Sequence, residues 1–399
     1  MRLQAQPCEF PSSSVEILLD QACGAGMSAV VVGCRRDKES KHVAKFFKVR
    51  HYSASPAAHS QHEADMLRAA AGTPYITSCL GMYQADLASC QDVVGRFALA
   101  CKPKSLSVKE EYAFLVKTEA KLFFLLMERC DCALQDLRRF PFSEAEAAFV
   151  SHAVLRGLRH LHGLGIVHGD VKPGNILVAE GGRRVLLGDL GLAQRLPEGC
   201  MSTKRSGGTR GYLAPECLTT GQCSPASDLF AFGAVLYEMM FRTPAFVRAT
   251  PAETEAATHE GKLPLEPCGE AVGRSSSNCQ LLRSLLSLNP YCRPTADEAL
   301  ESEWLARVGD ESLEFLCGLF EAEAHRREDD CSDDLPVCRQ WASRMSEVLP
   351  EPSPAQKTDT GSSRSKALAA AKGVAARLRN LAVWTSRRKA KVLDFDGIA

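Results

Sequence analysis

The sequence predicts an α+β fold in two unequal parts, a small strand-rich one followed by a larger, mainly helical one. Three observations predict it. Three segments of strand length and character crowd into the first fifty residues, a periodic and capped helix begins at Ser143, and 399 residues with 45% hydrophobic content suffice for one large core or two ordinary ones.

Taken in order, VEILLD (15–20), SAVVVG (28–33) and HVAKFFKV (42–49) alternate or run apolar over strand length. The join between the parts falls near LFFLLMERCDC (122–132). In SEAEAAFVSHAVLRGLRHLHGLG, Val150, Val154, Leu158 and Leu161 recur at spacings of three and four, and Ser143 with Glu146 forms a capping box at the start. DLFAFGAVLYEMM (228–240) is apolar on most sides, as a buried helix should be.

Composition excludes several classes. The chain has 48 Lys+Arg against 48 Asp+Glu, which argues against a protein that coats nucleic acid, because that task needs many cation to phosphate contacts. The 17 cysteines are odd in number, scattered, and without a CxxC pair, so neither a disulfide framework nor a zinc site is expected. The start has no apolar stretch of signal-peptide type, and the longest purely apolar run, Leu122 to Met127, is far short of the roughly 20 residues that cross a bilayer. The expectation is a cytoplasmic chain with reduced thiols, with RRKAK (387–391) a weak nuclear-import run.

Two stretches differ in texture. Residues 89–121 read as a surface insertion. Beyond the second helical region, residues 310–334 carry ten acidic residues against two Arg, residues 350–365 have a linker's Pro/Ser/Thr/Gly composition, and the chain then turns basic. In that tail Leu368, Val374, Leu378, Leu381 and Trp384 make a ragged apolar stripe. Such a basic amphipathic helix suits three partners: a calmodulin-like protein, an anionic membrane surface, or the acidic segment of its own chain.

The most informative segment is IVHGDVKPGNILV followed by VLLGDLGLA. It sets a carboxylate, a Lys two residues on and an Asn three beyond that, then a strand ending in Asp-Leu-Gly with Asp189 fourteen residues after Asn175. That pattern suits phosphoryl transfer, which needs a carboxylate to orient a hydroxyl, ligands for Mg²⁺, and a cation near the moving phosphoryl group. The segment resembles the catalytic loop of eukaryotic protein kinases. DLG is similar to the metal-binding DFG, GTRGYLAPE to the end of the activation segment, and DLFAFG to the helix start after it. Arg293 resembles the late Arg that pairs with the Glu of APE, here Glu216. Five motifs in family order over Val15 to Arg307 make a specific signal.

The resemblance implies a two-lobed protein kinase fold at 15–307, with an N-lobe at 15–127, its insertion at about 89–121, and a C-lobe at 131–307. The flanking pieces would be an N-terminal segment (1–14), an acidic segment (308–349), a linker (350–365) and the basic tail (366–399). It further implies ATP and Mg²⁺ as cofactors and Ser or Thr hydroxyls of protein substrates as acceptors, with no specific nucleic acid. Asp170 would orient the acceptor hydroxyl and Lys172 would stabilise the transferring phosphate. Thr209 would bond both, and Asn175 and Asp189 would hold the metal. Gly24, Gly26, Ala29 and Val31 lie on the pattern GxGxxGxV, with Ala at the third glycine position. Glu128 and Cys130 would belong to the hinge that meets adenine after the gatekeeper Met127.

The ATP-contacting Lys is ambiguous. Strict matching of Val43-Ala44 puts Phe46 at its place, while Lys45 and Lys48 face opposite sides of a strand. Lys45 is preferred because it precedes Glu63, the expected partner on the following helix, by 18 residues. Gly169 stands where regulated kinases have an Arg that clamps a phosphorylated activation segment, which implies activity without such phosphorylation. The alternatives are a pseudokinase scaffold, favoured by the irregular glycine loop, and a small-molecule kinase, disfavoured by the GTRGYLAPE segment.

Overall fold

The computed structural model describes residues 6–7, 15–25, 29–36, 39–47, 56–86, 121–137, 142–205, 207–263 and 276–307. The expectations for 1–5, for Gly26 and Lys48, for the insertion at 89–121 apart from Lys121, and for everything after Arg307 lie outside the described residues.

The N-terminal lobe is a six-stranded antiparallel sheet in the order β1-β5-β6-β4-β3-β2, made by β1 (Gln6–Pro7), β2 (Val15–Ala25), β3 (Ala29–Arg36), β4 (Glu39–Phe47), β5 (Cys79–Asp86) and β6 (Lys121–Glu128). VEILLD is thus only the first part of a longer strand. At this edge of the sheet β2 continues to Ala25 through register shifts between Leu18 and Gly24, irregularities that an edge strand accommodates readily. β4 is interior, and its alternation sorts two faces: Phe46 stacks near Phe124 and Tyr83 on one, with centroid distances of 5.0 Å from Phe46 to Phe124 and 5.3 Å from Tyr83 to Phe124. Val43 and Phe47 join the main core with Ala64, Met66 and Leu67 of helix α1 (Pro56–Ala69) on the other. Lys45 shares that second face.

The C-terminal lobe is built on α2 (Glu144–Gly163) and α4 (Pro225–Phe241), with α3 (Pro215–Thr220) between them in sequence. The capping box of α2 forms as expected: the Glu146 amide donates to Ser143 Oγ at 3.2 Å, and the Ser143 amide donates to Glu146 Oε2 at 2.7 Å. Val150, Val154, Leu158 and Leu161 are all fully buried, each worth about 1.5–3 kcal/mol on removal from water. Helix α4 is buried on nearly every side from Ser227 to Met240. The lobe is completed by α5 (Pro251–Glu260), α6 (Ser276–Leu285), α7 (Ala296–Leu300) and α8 (Glu303–Arg307), whose Trp304 and Leu305 are buried in the core.

Short strands line the junction: β7 (Cys132–Ala133), β9 (Ile176–Ala179) and β10 (Arg184–Leu187) form one sheet, β8 (Ile166–Val167) pairs with β11 (Gln194–Arg195), and β12 (Thr203–Lys204) with β13 (Gln222–Cys223). The segment between α1 and β5 is fastened to the C-terminal lobe. The Thr77 amide donates to Leu187 O at 2.9 Å, the Leu187 amide to Tyr75 O at 2.8 Å, and Arg156 Nη1 to Tyr75 Oη at 2.7 Å. Gly157 of α2 permits this approach, since a Cβ there would lie 3.0 Å from the Tyr75 carbonyl oxygen.

Candidate active site

The site lies where the catalytic loop (168–175), the Asp-Leu-Gly turn and the face of β4 converge. After β8 the chain turns through Gly169 at φ +76° and ends in a short 3₁₀ turn at Pro173–Asn175. Asp170 is buried and both of its carboxylate oxygens are held, with one acceptor site on Oδ1 left over: Lys172 Nζ donates to Oδ2 at 2.6 Å, Asn175 Nδ2 to Oδ2 at 3.0 Å, and Thr209 Oγ1 to Oδ1 at 2.7 Å. Lys172 Nζ also reaches Thr209 Oγ1 at 2.8 Å. Three side chains, the farthest 39 positions away in sequence, thus meet within hydrogen-bond range of one carboxylate.

The loop backbone is held from beneath by a residue that sequence reasoning passed over. Asp228, at the start of α4, accepts from the His168 amide (2.8 Å), the Gly169 amide (2.9 Å) and the His162 ring (2.9 Å). A carboxylate heading an otherwise apolar helix was the available signal. His168 Nδ1 accepts from the Asp170 amide while its Nε2 donates to Gly188 O, which fixes one neutral tautomer.

Strand β10 stops at Leu187, short of the expected end in Asp-Leu-Gly, because Asp189 takes a left-handed conformation (φ 59°) that cannot extend a strand. Its side chain meets Lys45: Lys45 Nζ lies 2.8 Å from Asp189 Oδ1 and 2.7 and 2.8 Å from the two Glu63 oxygens. Burial works against a charged Lys45, but the two carboxylates outweigh it and hold the ammonium well above its ordinary range. Burial would likewise raise Asp189, yet Lys45, with Lys172 beyond it, keeps that carboxyl at about 2. For Glu63 burial wins, pushing it up to about 7 against the pull of Lys45.

The donor set fits Mg²⁺. Asn175 spends its Nδ2 on the Asp170 carbonyl and carboxylate oxygens, at 2.8 and 3.0 Å, which leaves Oδ1 as a hard donor. Asp189 is ionised and has Oδ2 free of the Lys45 bond. Mg²⁺ takes one or two protein oxygens of this kind and completes its shell with water and phosphate. Among the described residues no group of three or more His, Cys, Asp or Glu forms a richer metal cage.

The other expected nucleotide contacts are placed unevenly. Gly24 pairs with Val31 across β2 and β3, and Ala29 opens β3. The Glu128 carboxylate is turned away to the Ser78 amide (2.6 Å) and Arg184 (3.2 Å), and its own amide donates to Ser78 O (3.3 Å), so its main-chain carbonyl is what remains for adenine. The Cys130 thiol is pushed up to about 12 by burial and by the neighbouring acids Glu128 and Asp131, which makes it a poor nucleophile. Leu190, in the position of the Phe of DFG, is fully buried. Glu216 pairs with Arg293 through two bonds of 2.6 and 2.8 Å.

A strand-rich lobe over a helical lobe, with a carboxylate-Lys-Asn loop facing a Lys-Glu-Asp cluster across the junction, defines the class of two-lobed kinases. The model of the protein kinase domain matches residues 18–305, and the chain belongs to that family. It is 34% identical over 168 residues to the striated muscle preferentially expressed protein kinase of Danio rerio, covering 42% of this chain and 6% of the relative. It is 32% identical over 205 residues to the rhodopsin kinase GRK1 of Rattus norvegicus (50% and 36%), and 33% identical over 177 residues to a calcium and calcium/calmodulin-dependent serine/threonine-protein kinase of Lilium longiflorum (44% and 33%). The matches thus span little more than a third of the relatives' length at most. Among the described residues no helix is long and apolar enough to cross a membrane.

Proposed function

We propose that the protein transfers the γ-phosphoryl group of ATP to Ser or Thr hydroxyls of protein substrates. The observation that carries this reading is the closed set Asp170, Lys172, Thr209 and Asn175 facing the Lys45–Glu63–Asp189 cluster. Asp170 accepts a hydrogen bond from the incoming hydroxyl and aims its oxygen. Lys172, steered by Thr209, places a positive charge where negative charge builds on the transferred group. Lys45, fixed by Glu63, receives nucleotide phosphate oxygens, and Asn175 with Asp189 holds the metal. Bound Mg²⁺ supplies charge neutralisation on the phosphates. Gly24 and Gly26 allow close backbone approach to the phosphates, Ala29 and Val31 flank them, and Glu128 and Cys130 meet adenine through their main chain. Thr209 beside Lys172 supports Ser/Thr over Tyr acceptors.

The test is transfer from radiolabelled ATP to generic protein substrates by the full chain, its Asp170→Asn and its Asp189→Ala. The wild type should exceed both by at least about a hundredfold. A wild type no faster than the variants, across metals and substrates, replaces this reading with that of a scaffold.

Two finer readings follow. Gly169 offers no clamp for a phosphorylated activation segment, so activity is independent of that modification. The basic tail (366–399) takes a calmodulin-like protein, an anionic membrane surface or the acidic segment at 310–334. The ten Lys and Arg between 357 and 391, eight of them in this tail, support all three, and the Lilium relative's calcium/calmodulin dependence supports the first.

A further inference from the structure

Helix α1 carries the Glu63 that the proposed mechanism needs, and a second side chain of the same helix reaches the activation segment. His62 Nε2 lies 2.8 Å from the main-chain oxygen of Ala193, four residues past Asp189. A carbonyl oxygen only accepts, so Nε2 carries the proton and donates it. Adjacent helical residues project about 100° apart, which lets His62 turn to this carbonyl while Glu63 turns to Lys45. The fit between these segments is close: a Cβ on Gly191 would stand 3.3 Å from Glu63 Oε2 and 3.2 Å from Asp189 Oδ1. Ala193 and Leu190 are fully buried, so this backbone carbonyl has no ready access to water if the ring is removed.

We propose that His62 is a positioning residue, which clamps helix α1 to the segment after Asp189 and so keeps Glu63 within reach of Lys45. The proposal rests on the kinase reading for its catalytic consequence, and on geometry alone for the clamp. One hydrogen bond of this kind supports a change of about fivefold to tenfold.

The test compares full-length wild type, His62→Ala, His62→Gln and Glu63→Gln, each checked for cooperative melting. In His62→Ala, peptides covering 56–69 and 189–195 should exchange amide hydrogens about fivefold faster, and kcat should fall about fivefold to tenfold with KM for the protein substrate unchanged. His62→Gln, whose amide N–H has similar reach, should restore both. Adding His62→Ala to Glu63→Gln should cost little more, because the first acts through the second. Unchanged exchange in His62→Ala, a Gln variant as damaged as the Ala variant, or additive losses in the double variant would each overturn the proposal. If the wild type transfers no phosphate, the kinase reading fails while the exchange measurements still decide the clamp.

Discussion

Lys45 is the residue on which two carboxylates depend. Its Nζ serves Glu63 and Asp189 together in a setting where Glu63 is fully buried. Lys45→Met should therefore do two things. Phosphoryl transfer should fall at least about a hundredfold, and the variant should lose about 3–5 kcal/mol of stability in denaturant titration, because a buried carboxylate is left without its cation. Lys48→Met, assayed in parallel, should retain activity. The sequence alone left these two lysines open, since the local pattern allows either. What separates them is a partner on another element, and the 18-residue spacing to Glu63 carried that information only because the strand that bears Lys45 is followed by the helix that bears Glu63.

Among the elements, α2 and the activation segment were legible to different degrees. The capping box and apolar period of α2 are local in sequence and reappear residue for residue. Ser143→Ala should cost about 1 kcal/mol with the catalytic constants unchanged, measured by thermal melting and steady-state kinetics. The activation segment is set by pairings across the chain. Thr203 is buried on β12, opposite Cys223 of β13, a placement that nothing in STKRS announces. Replacing Ser202, Thr203 and Ser206 together by Ala should leave phosphotransfer within about twofold of wild type once folded fractions are equalised, the loss at buried Thr203 falling on stability. A large loss would restore a role for phosphorylation there. The roles of Asp228 and His162 were also hidden, because each acts on backbone amides or a carboxylate brought near only by the packing of α2 on α4.

At the scale of the molecule, Glu216 and Arg293 tie parts of the C-terminal lobe that are 77 residues apart. Burial would raise the Glu216 carboxyl, but the Arg293 hydrogen bonds and charge, with Ser227, hold it below its ordinary 4.5. A carboxyl depressed in the folded state contributes stability that is complete above about 4.5 and is lost as the pH falls through the lowered value. Glu216→Gln should thus melt below wild type at pH 7, with the gap closing steadily below pH 4.5. A gap independent of pH would show that packing alone is at stake. The whole fold was legible because five motifs follow one another in order. The charge-divided extension was legible only as composition, since nothing in it specifies a partner within the chain.

The fastening of Tyr75, Ile76 and Thr77 to β10 and α2 has a mechanical consequence. His160 adds a bond to Ala70 O (3.1 Å), so the C-terminal end of α1 is moored to the lower lobe even though the helix packs on the upper sheet. Any opening of the cleft must then turn the sheet about this mooring, and α1 becomes a lever whose fulcrum lies near Ala70. Glu63 sits about two turns from that fulcrum, far enough that a tilt of a few degrees moves its carboxylate by about an ångström, given the 1.5 Å rise per residue.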